Sequence, residues 1–307
     1  VNDIALPSTT WHFSVPATSA NLGPGFDTIG IALDLRLTAS VSRADAFTLR
    51  FTPGLHAPTH DGYAREILRG FDAIAQGVRP PLAVTIENPI PLGKGLGSSA
   101  AAAVIGARIA AACWPEAIDR LPRIVTDLEG HPDNALPALL GGIVIAAQSQ
   151  DAAPRFIRLP VPKGVQAVVV VPEIELATEV ARALLPERYS RSDAVFTIQR
   201  AALLAAALAV NDLDLLATAM EDRLHQPYRA ASIPGLTEAL QIRTPELLGI
   251  ALSGAGPSLL ALVRSQPSDT ATRLQAIFAR HNVASHSWVI DLTDRGVESF
   301  LERGGGH

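Results

Sequence analysis

The sequence predicts an α+β chain of about two domains, and three observations carry that expectation. At 307 residues the chain exceeds the usual size of one domain. Stretches with strand-like alternation and stretches with helical periodicity intermix, without the strict alternation that builds a doubly wound parallel sheet. Polar residues and prolines gather between Gln148 and Gly164, which divides the chain into units 1–158 and 159–307.

The elements of the first unit follow in order. Phe13–Val15 reads as a strand feeding a loop, Ile29–Val41 as a longer strand or pair, and Phe47–Phe51 alternates again. Residues 63–76 place Ile67, Leu68, Phe71, Ile74 and Ala75 on one helical face. Leu82–Ile86 alternates as a strand, and Ala100–Ala112 is a helix whose one breaker is Gly106. Pro115–Leu128 reads as helical. A short helix near Pro132 is stopped by Gly141 and Gly142, and a strand begins at Ile143–Ile145.

In the second unit Gln166–Val171 is a buried strand and 178–185 a helix ended by Pro186. Residues 192–210 and 212–224 read as two helices. Strands at Leu248–Leu252 and Ser258–Val263 flank a glycine turn, and a helix over 268–281 with the strand Ser287–Asp291 closes the chain. There is no internal repeat.

Composition narrows the function. Hydrophobic residues make up 48% of the chain, yet the run Ala201–Val210 is too short to span a bilayer, so no membrane association is expected. Val1–Trp11 lacks a basic region followed by an apolar one, so no signal peptide is expected. The single cysteine, Cys113, excludes an internal disulfide and fits a reducing cytoplasm. A net charge of −5 with a pI near 5.9 gives no electrostatic footprint for nucleic acid. The three glycines before His307 read as a frayed or engineered tail.

The richest stretch is 91–103: Pro91, Leu92, Gly93, Lys94, Gly95, Leu96, Gly97, Ser98, Ser99, Ala100, Ala101 and two more alanines. Alternate glycines let the backbone curl close to a ligand, and the helix start that follows presents unpaired N–H groups and a positive dipole end to phosphate. The serine hydroxyls can cap the helix or reach a metal held by phosphates. Lys94 is followed by Gly95 rather than Ser or Thr, so this is no Walker A loop, and the spacing is not the dinucleotide fingerprint.

Four further groups could carry chemistry. The loop Pro16–Asp27 is dense in glycine and small polar groups. Its Asn21 and Asp27 are either ligand contacts, with Asp27 suited to an ammonium group, or turn residues bonding their own backbone. Glu129, His131, Asp133 and Asn134 leave one short turn in which Pro132 is placed to start a helix. Glu129 is a hard carboxylate of the kind Mg²⁺ favours, whereas Asp133 and His131 serve equally as helix-start residues. Ser253–Ser258 is either a tight turn or a second backbone cradle. Thr178 and Arg182 share a helical face, and Arg229 follows His225-Gln-Pro-Tyr; arginine grips a carboxylate in fixed direction.

In this order the strings Pro16–Asp27, Pro91–Ala101, Glu129–Gly142 and Ser253–Pro257 resemble the GHMP small-molecule kinases, and within that superfamily the homoserine kinase branch. The likeness runs from near residue 12 to near 263. It implies a first domain of the ribosomal-protein-S5-like type and a ferredoxin-like second domain. ATP would lie in the cleft with its phosphates on 93–99, Lys94 being a candidate phosphate contact. By the same resemblance Ser99 and Glu129 would bind Mg²⁺. Asn21, Asp27, His131, Asn134, Thr178, Arg182 and Arg229 would surround L-homoserine. Asp27 suits its amino group, the two arginines its carboxylate, and Asn21 and Asn134 its hydroxyl end. Kinases of this kind are often homodimers, so a homodimer is expected.

Several members of the superfamily resemble one another in carrying an aspartate where this chain has Asn134. An amide cannot remove a proton. The expectation is therefore that no side-chain base acts, with Asp133, next in sequence, as the rival.

Overall fold

The computed structural model describes residues 4–53, 61–148 and 152–301. The expectations about Val1–Asp3 and about the glycines before His307 lie outside the described residues. The architecture is α+β, as the intermixed periodicities require.

The strands are β1 (Trp11–Ala20), β2 (Ile29–Arg43), β3 (Thr48–Phe51), β4 (Leu82–Glu87), β5 (Ile143–Ala147), β6 (Arg155–Leu159), β7 (Gln166–Pro172), β8 (Leu247–Leu252), β9 (Leu259–Val263), β10 (Ser285–Asp291) and β11 (Glu298–Leu301). The helices are α1 (Asp61–Ala75), α2 (Ser98–Cys113), α3 (Leu121–Glu129), α4 (Pro132–Leu140), α5 (Thr178–Ala183), α6 (Arg191–Val210), α7 (Leu216–Ala219), α8 (Gln226–Arg229), α9 (Leu236–Leu240) and α10 (Pro267–Arg280). The first sheet runs β11-β1-β2-β4-β3, with β5 joined to the other end of the long β2 and β6 to β5; the second runs β10-β7-β9-β8.

Alternation along β7 joins the two layers. Ala167, Val169 and Val171 face a core shared with the first sheet and α2, while Val168 and Val170 face Leu274 and Phe278 of α10. The α1–α2 crossing is close because Gly106 carries no side chain: a methyl there would strike the carbonyl of Ile67. The one breaker in the alanine helix is thus a packing residue.

Several expected elements differ. The strand expected at Phe13–Val15 continues as β1 to Ala20, so the first half of the Pro16–Asp27 segment is strand rather than loop. Pro16 lacks an N–H, and the pairing with β2 shifts register between Pro16 and Ala17, where that donor is not needed. Residues 115–120 form a 3₁₀ turn before α3. The helix expected over 212–224 breaks into a 3₁₀ turn and the four-residue α7.

The proline-rich stretch after Gln148 contains β6, which pairs with β5. The chain closes not on β10 but on β11, whose four residues pair with β1 of the first sheet. The hydrophobic run ending at Val210 belongs to the 20-residue α6, which by length and composition is long enough to cross a membrane. Its Arg200 pairs with Glu221, and its Leu204, Ala207 and Leu208 are buried against the rest of the chain.

Candidate active site

The loop from Pro91 to Gly97 carries the chain from β4 into α2. Gly97 occupies the N-cap position with φ of 66°, and no side chain caps the helix. The serines therefore do not cap: Ser98 Oγ donates to the Tyr63 hydroxyl at 3.3 Å, and Ser99 Oγ donates to Glu129 Oε2 at 3.4 Å. The first amides of α2 are left for an anion, as expected of a helix start. Gly97 is required twice over, since its backbone is left-handed and a methyl would strike Thr18 Oγ1.

β1 holds this loop from the other side. Thr18 N donates to Leu96 O at 3.1 Å, and the Thr18 hydroxyl donates to Asn134 Oδ1 at 2.7 Å. The Asn134 side chain, in the first turn of α4, is thereby fixed beside the glycine loop. Its amide nitrogen has no partner among the described residues.

The α3–α4 turn gathers three titratable groups. Burial holds the Glu129 carboxyl above the usual range, and nearby Asp133 and Glu66 add to this against the opposing effect of His131. Burial alone would push His131 down. Its hydrogen bond to Asp133 Oδ1 at 2.7 Å and the surrounding carboxylates outweigh that, so the imidazole lies above its ordinary value. Asp133 itself is 2% exposed.

The second domain contributes the cations. Arg182 of α5 clasps Asp27 through two bonds, at 2.9 and 3.0 Å. Arg229 of α8 is buried, donating to Ala181 O, Gly254 O and His225 Nδ1 at 3.3, 3.0 and 3.0 Å. Burial, reinforced by the neighbouring charge of Arg182, lowers its guanidinium to about 10. Both guanidiniums lie over the Phe26 ring, at 5.4 and 5.6 Å.

A cleft of about 120 Å³ between the domains brings these groups together. Asn21, Asp27, Ser99, Glu129, His131, Asn134, Thr178, Arg182 and Arg229 all line it, with Pro91, Gly93, Lys94, Gly95, Leu96, Gly97 and Ser98 of the loop. Leu92 lines instead a second groove of about 1000 Å³, which has Pro91 and Lys94 in common with the cleft and is large enough for a nucleotide. Ala100 and Ala101 are buried within α2 and do not line the cleft.

Residues 62–142 match the family description "GHMP kinases N terminal domain", and residues 204–284 match "GHMP kinases C terminal". A homoserine kinase of Solibacter usitatus is 43% identical over 305 residues, spanning 95% of this chain and 98% of that protein. One from Moorella thermoacetica is 40% identical over 276 residues, with 88% and 93% covered. This chain belongs to the GHMP kinases.

Solved structures agree on the fold. The crystal structure of homoserine kinase from Cytophaga hutchinsonii superposes with a TM-score of 0.81 at 27% identity, covering 95% of this chain and 98% of that one. A mevalonate kinase of L. major in complex with R-mevalonate shares the fold at a TM-score of 0.68 and 16% identity, with 95% and 98% covered.

As a GHMP kinase the chain uses ATP as co-substrate. For Mg²⁺ the donor set can be tested directly. A hydroxyl and a hard carboxylate lie 3.4 Å apart beside the amide cradle, and that carboxylate stands among acidic neighbours with no cation bonded to it among the described residues. Ser99 and Glu129 fit the ion.

Two expected contacts are otherwise engaged. Asn21 Nδ2 donates to Gly254 O and its Oδ1 accepts from Asp27 N, both at 3.0 Å, so this amide also braces the cleft wall. The Lys94 ammonium donates to Ile174 O at 2.8 Å, reaching across to the second domain. Sequence reasoning passed over Thr18, Phe26 and His225. Thr18 and Phe26 lie inside the quoted Pro16–Asp27 string, and four-residue spacing on one turn ties His225 to Arg229.

Proposed function

We propose that this GHMP kinase transfers the γ-phosphoryl group of ATP to the side-chain hydroxyl of L-homoserine, with Mg²⁺, giving O-phospho-L-homoserine for threonine biosynthesis. The observation that carries the reading is the gathering of one carboxylate, Asp27, and two guanidiniums, Arg182 and Arg229, in one cleft beside the helix start of α2. That arrangement suits a zwitterion. A hydroxy acid such as mevalonate would bring a carboxylate and no ammonium, leaving Asp27 to repel it.

Ser99 and Glu129 would hold Mg²⁺, which when bound supplies neutralisation of phosphate charge. The amides opening α2 would bind the triphosphate, and Asn134, braced by Thr18, would orient the hydroxyl. No side-chain base is required: the phosphoryl transition state is loose, so positioning and charge neutralisation supply most of the acceleration, and the hydroxyl proton leaves late to a phosphate oxygen. Asp133, the rival base, also lines the cleft, with its Oδ1 already bound to His131.

ATP consumption measured with homoserine, mevalonate and galactose tests the substrate; turnover with one of the latter two alone would overturn it. Asp133→Asn tests the base-free route, which near-total loss of kcat at unchanged substrate binding would defeat. The expected homodimer belongs to the same reading, and sedimentation measures it.

A further inference from the structure

We propose that His225 is a positioning residue for substrate recognition: carrying its proton on Nε2, it locks the Asn21–Asp27 segment to the second domain and aims the guanidinium of Arg229 into the cleft. The inference rests on the reading of Arg229 as a carboxylate partner, and it adds a residue that touches no substrate.

The imidazole is fully buried and makes two directed bonds. Nε2 lies 2.8 Å from the carbonyl oxygen of Gly23, and Nδ1 lies 3.0 Å from Arg229 Nη1. A carbonyl can only accept, so Nε2 donates. A guanidinium can only donate, so Nδ1 accepts. These two neighbours fix one tautomer, and the protonated ring would set an N–H against the Arg229 fork.

The surroundings hold the ring itself. Asp222 accepts from the backbone N–H groups of Leu224, His225 and Gln226 at 2.7, 2.9 and 2.8 Å, so the turn into α8 is rigid. Phe26 packs on the imidazole with centroids 5.3 Å apart. With Nη1 and Nε of Arg229 committed to His225, Gly254 and Ala181, Nη2 is the end of the fork with no bond among the described residues.

The charged groups facing the ring are Asp222, 3.6 Å from Nε2, Arg229, and more distantly Asp27. Asp222 favours the protonated ring. Burial and Arg229 oppose it, and the balance lies below the ordinary histidine value. The neutral form that the bonds require is therefore the one present at neutral pH.

Asparagine and glutamine separate the two bonds. Asn reaches the position of Nδ1 and can accept from Arg229, whereas Gln reaches Nε2 and can donate to Gly23. His225→Gln and His225→Phe should raise the KM for homoserine about tenfold or more, His225→Asn markedly less, with kcat and the KM for ATP within about twofold in all three. Equal effects of Asn and Gln, an unchanged homoserine KM in His225→Phe, or a parallel rise in the KM for ATP would overturn the proposal.

Nitrogen-15 histidine spectra of the unmodified protein provide a test that does not depend on a variant folding. His225 should appear as the Nε2–H tautomer at neutral pH and remain neutral below about pH 6.5, the ordinary midpoint. An Nδ1–H tautomer or an imidazolium there refutes the assignment. If the unmodified protein does not phosphorylate homoserine, the substrate reading fails; if it does and the variants behave as the wild type, this inference alone fails.

Discussion

Replacing Thr18 by valine separates the bracing of Asn134 from everything else at the cleft. The side chain is fully buried, and its hydroxyl makes a 2.7 Å bond to Asn134 Oδ1. Valine keeps the branched shape and removes the donor. A net intramolecular hydrogen bond contributes about 1 kcal/mol, and a deserted buried acceptor costs about 1–3 kcal/mol. Asn134 is half-buried, so water can reach its oxygen and the lower part of that range applies, about 1–2 kcal/mol.

For a chain of this length that loss corresponds to a Tm lower by roughly 1.5–3 °C. Turnover should suffer more than stability. A freed amide no longer aims the hydroxyl, and misplacement by about 1 Å can cost up to a hundredfold in rate. The expected result for Thr18→Val is a kcat reduced about tenfold to a hundredfold with the KM for ATP unchanged. Thr18→Ser, which keeps the hydroxyl, should recover most of the rate. A lowered Tm with wild-type kcat would refute the reasoning, because Asn134 would then not depend on this bond to act.

Two other outcomes can be checked with simple assays. Asp27 and Arg182 bind each other, so a zwitterionic substrate must exchange one ion pair for two. Asp27→Ala and Arg182→Ala should each weaken homoserine binding, and the double variant should lose less than the product of the two; titration calorimetry showing independence within about twofold would sink that exchange. Cys113 is buried at the end of α2, and burial raises its thiol to about 11. Iodoacetamide at pH 8 should leave it unmodified in the native protein and label it after denaturation, and rapid native labelling would show the packing to be wrong.

Much of the cleft is legible in the sequence because its parts are local. A glycine loop between a strand and an alanine helix makes an anion cradle from backbone alone, and Pro132 starts a helix wherever it is read. The strand ending at Ala20 was less legible. Pro16 and a string of small polar residues look like loop, and only the register shift opposite β2 lets them continue as strand. The broken helix at 212–224 and the closing strand β11 escaped for a related reason: four-residue elements have too few positions for a period to show, and tertiary pairing decides them.

The sequence by itself determined the fold class, the glycine loop that opens α2 and most of the side chains that line the cleft, since these depend largely on local patterns and short strings. Only the tertiary structure decided which of those groups bind one another. Asp27 meets Arg182 from 155 residues away, Thr18 meets Asn134 from 116, and His225 reaches Gly23 from 202. The physical reason is that hydrogen bonds and ion pairs act over about 3 Å in space. A linear pattern names the donors and acceptors, and the packing of two domains across a common core assigns their partners.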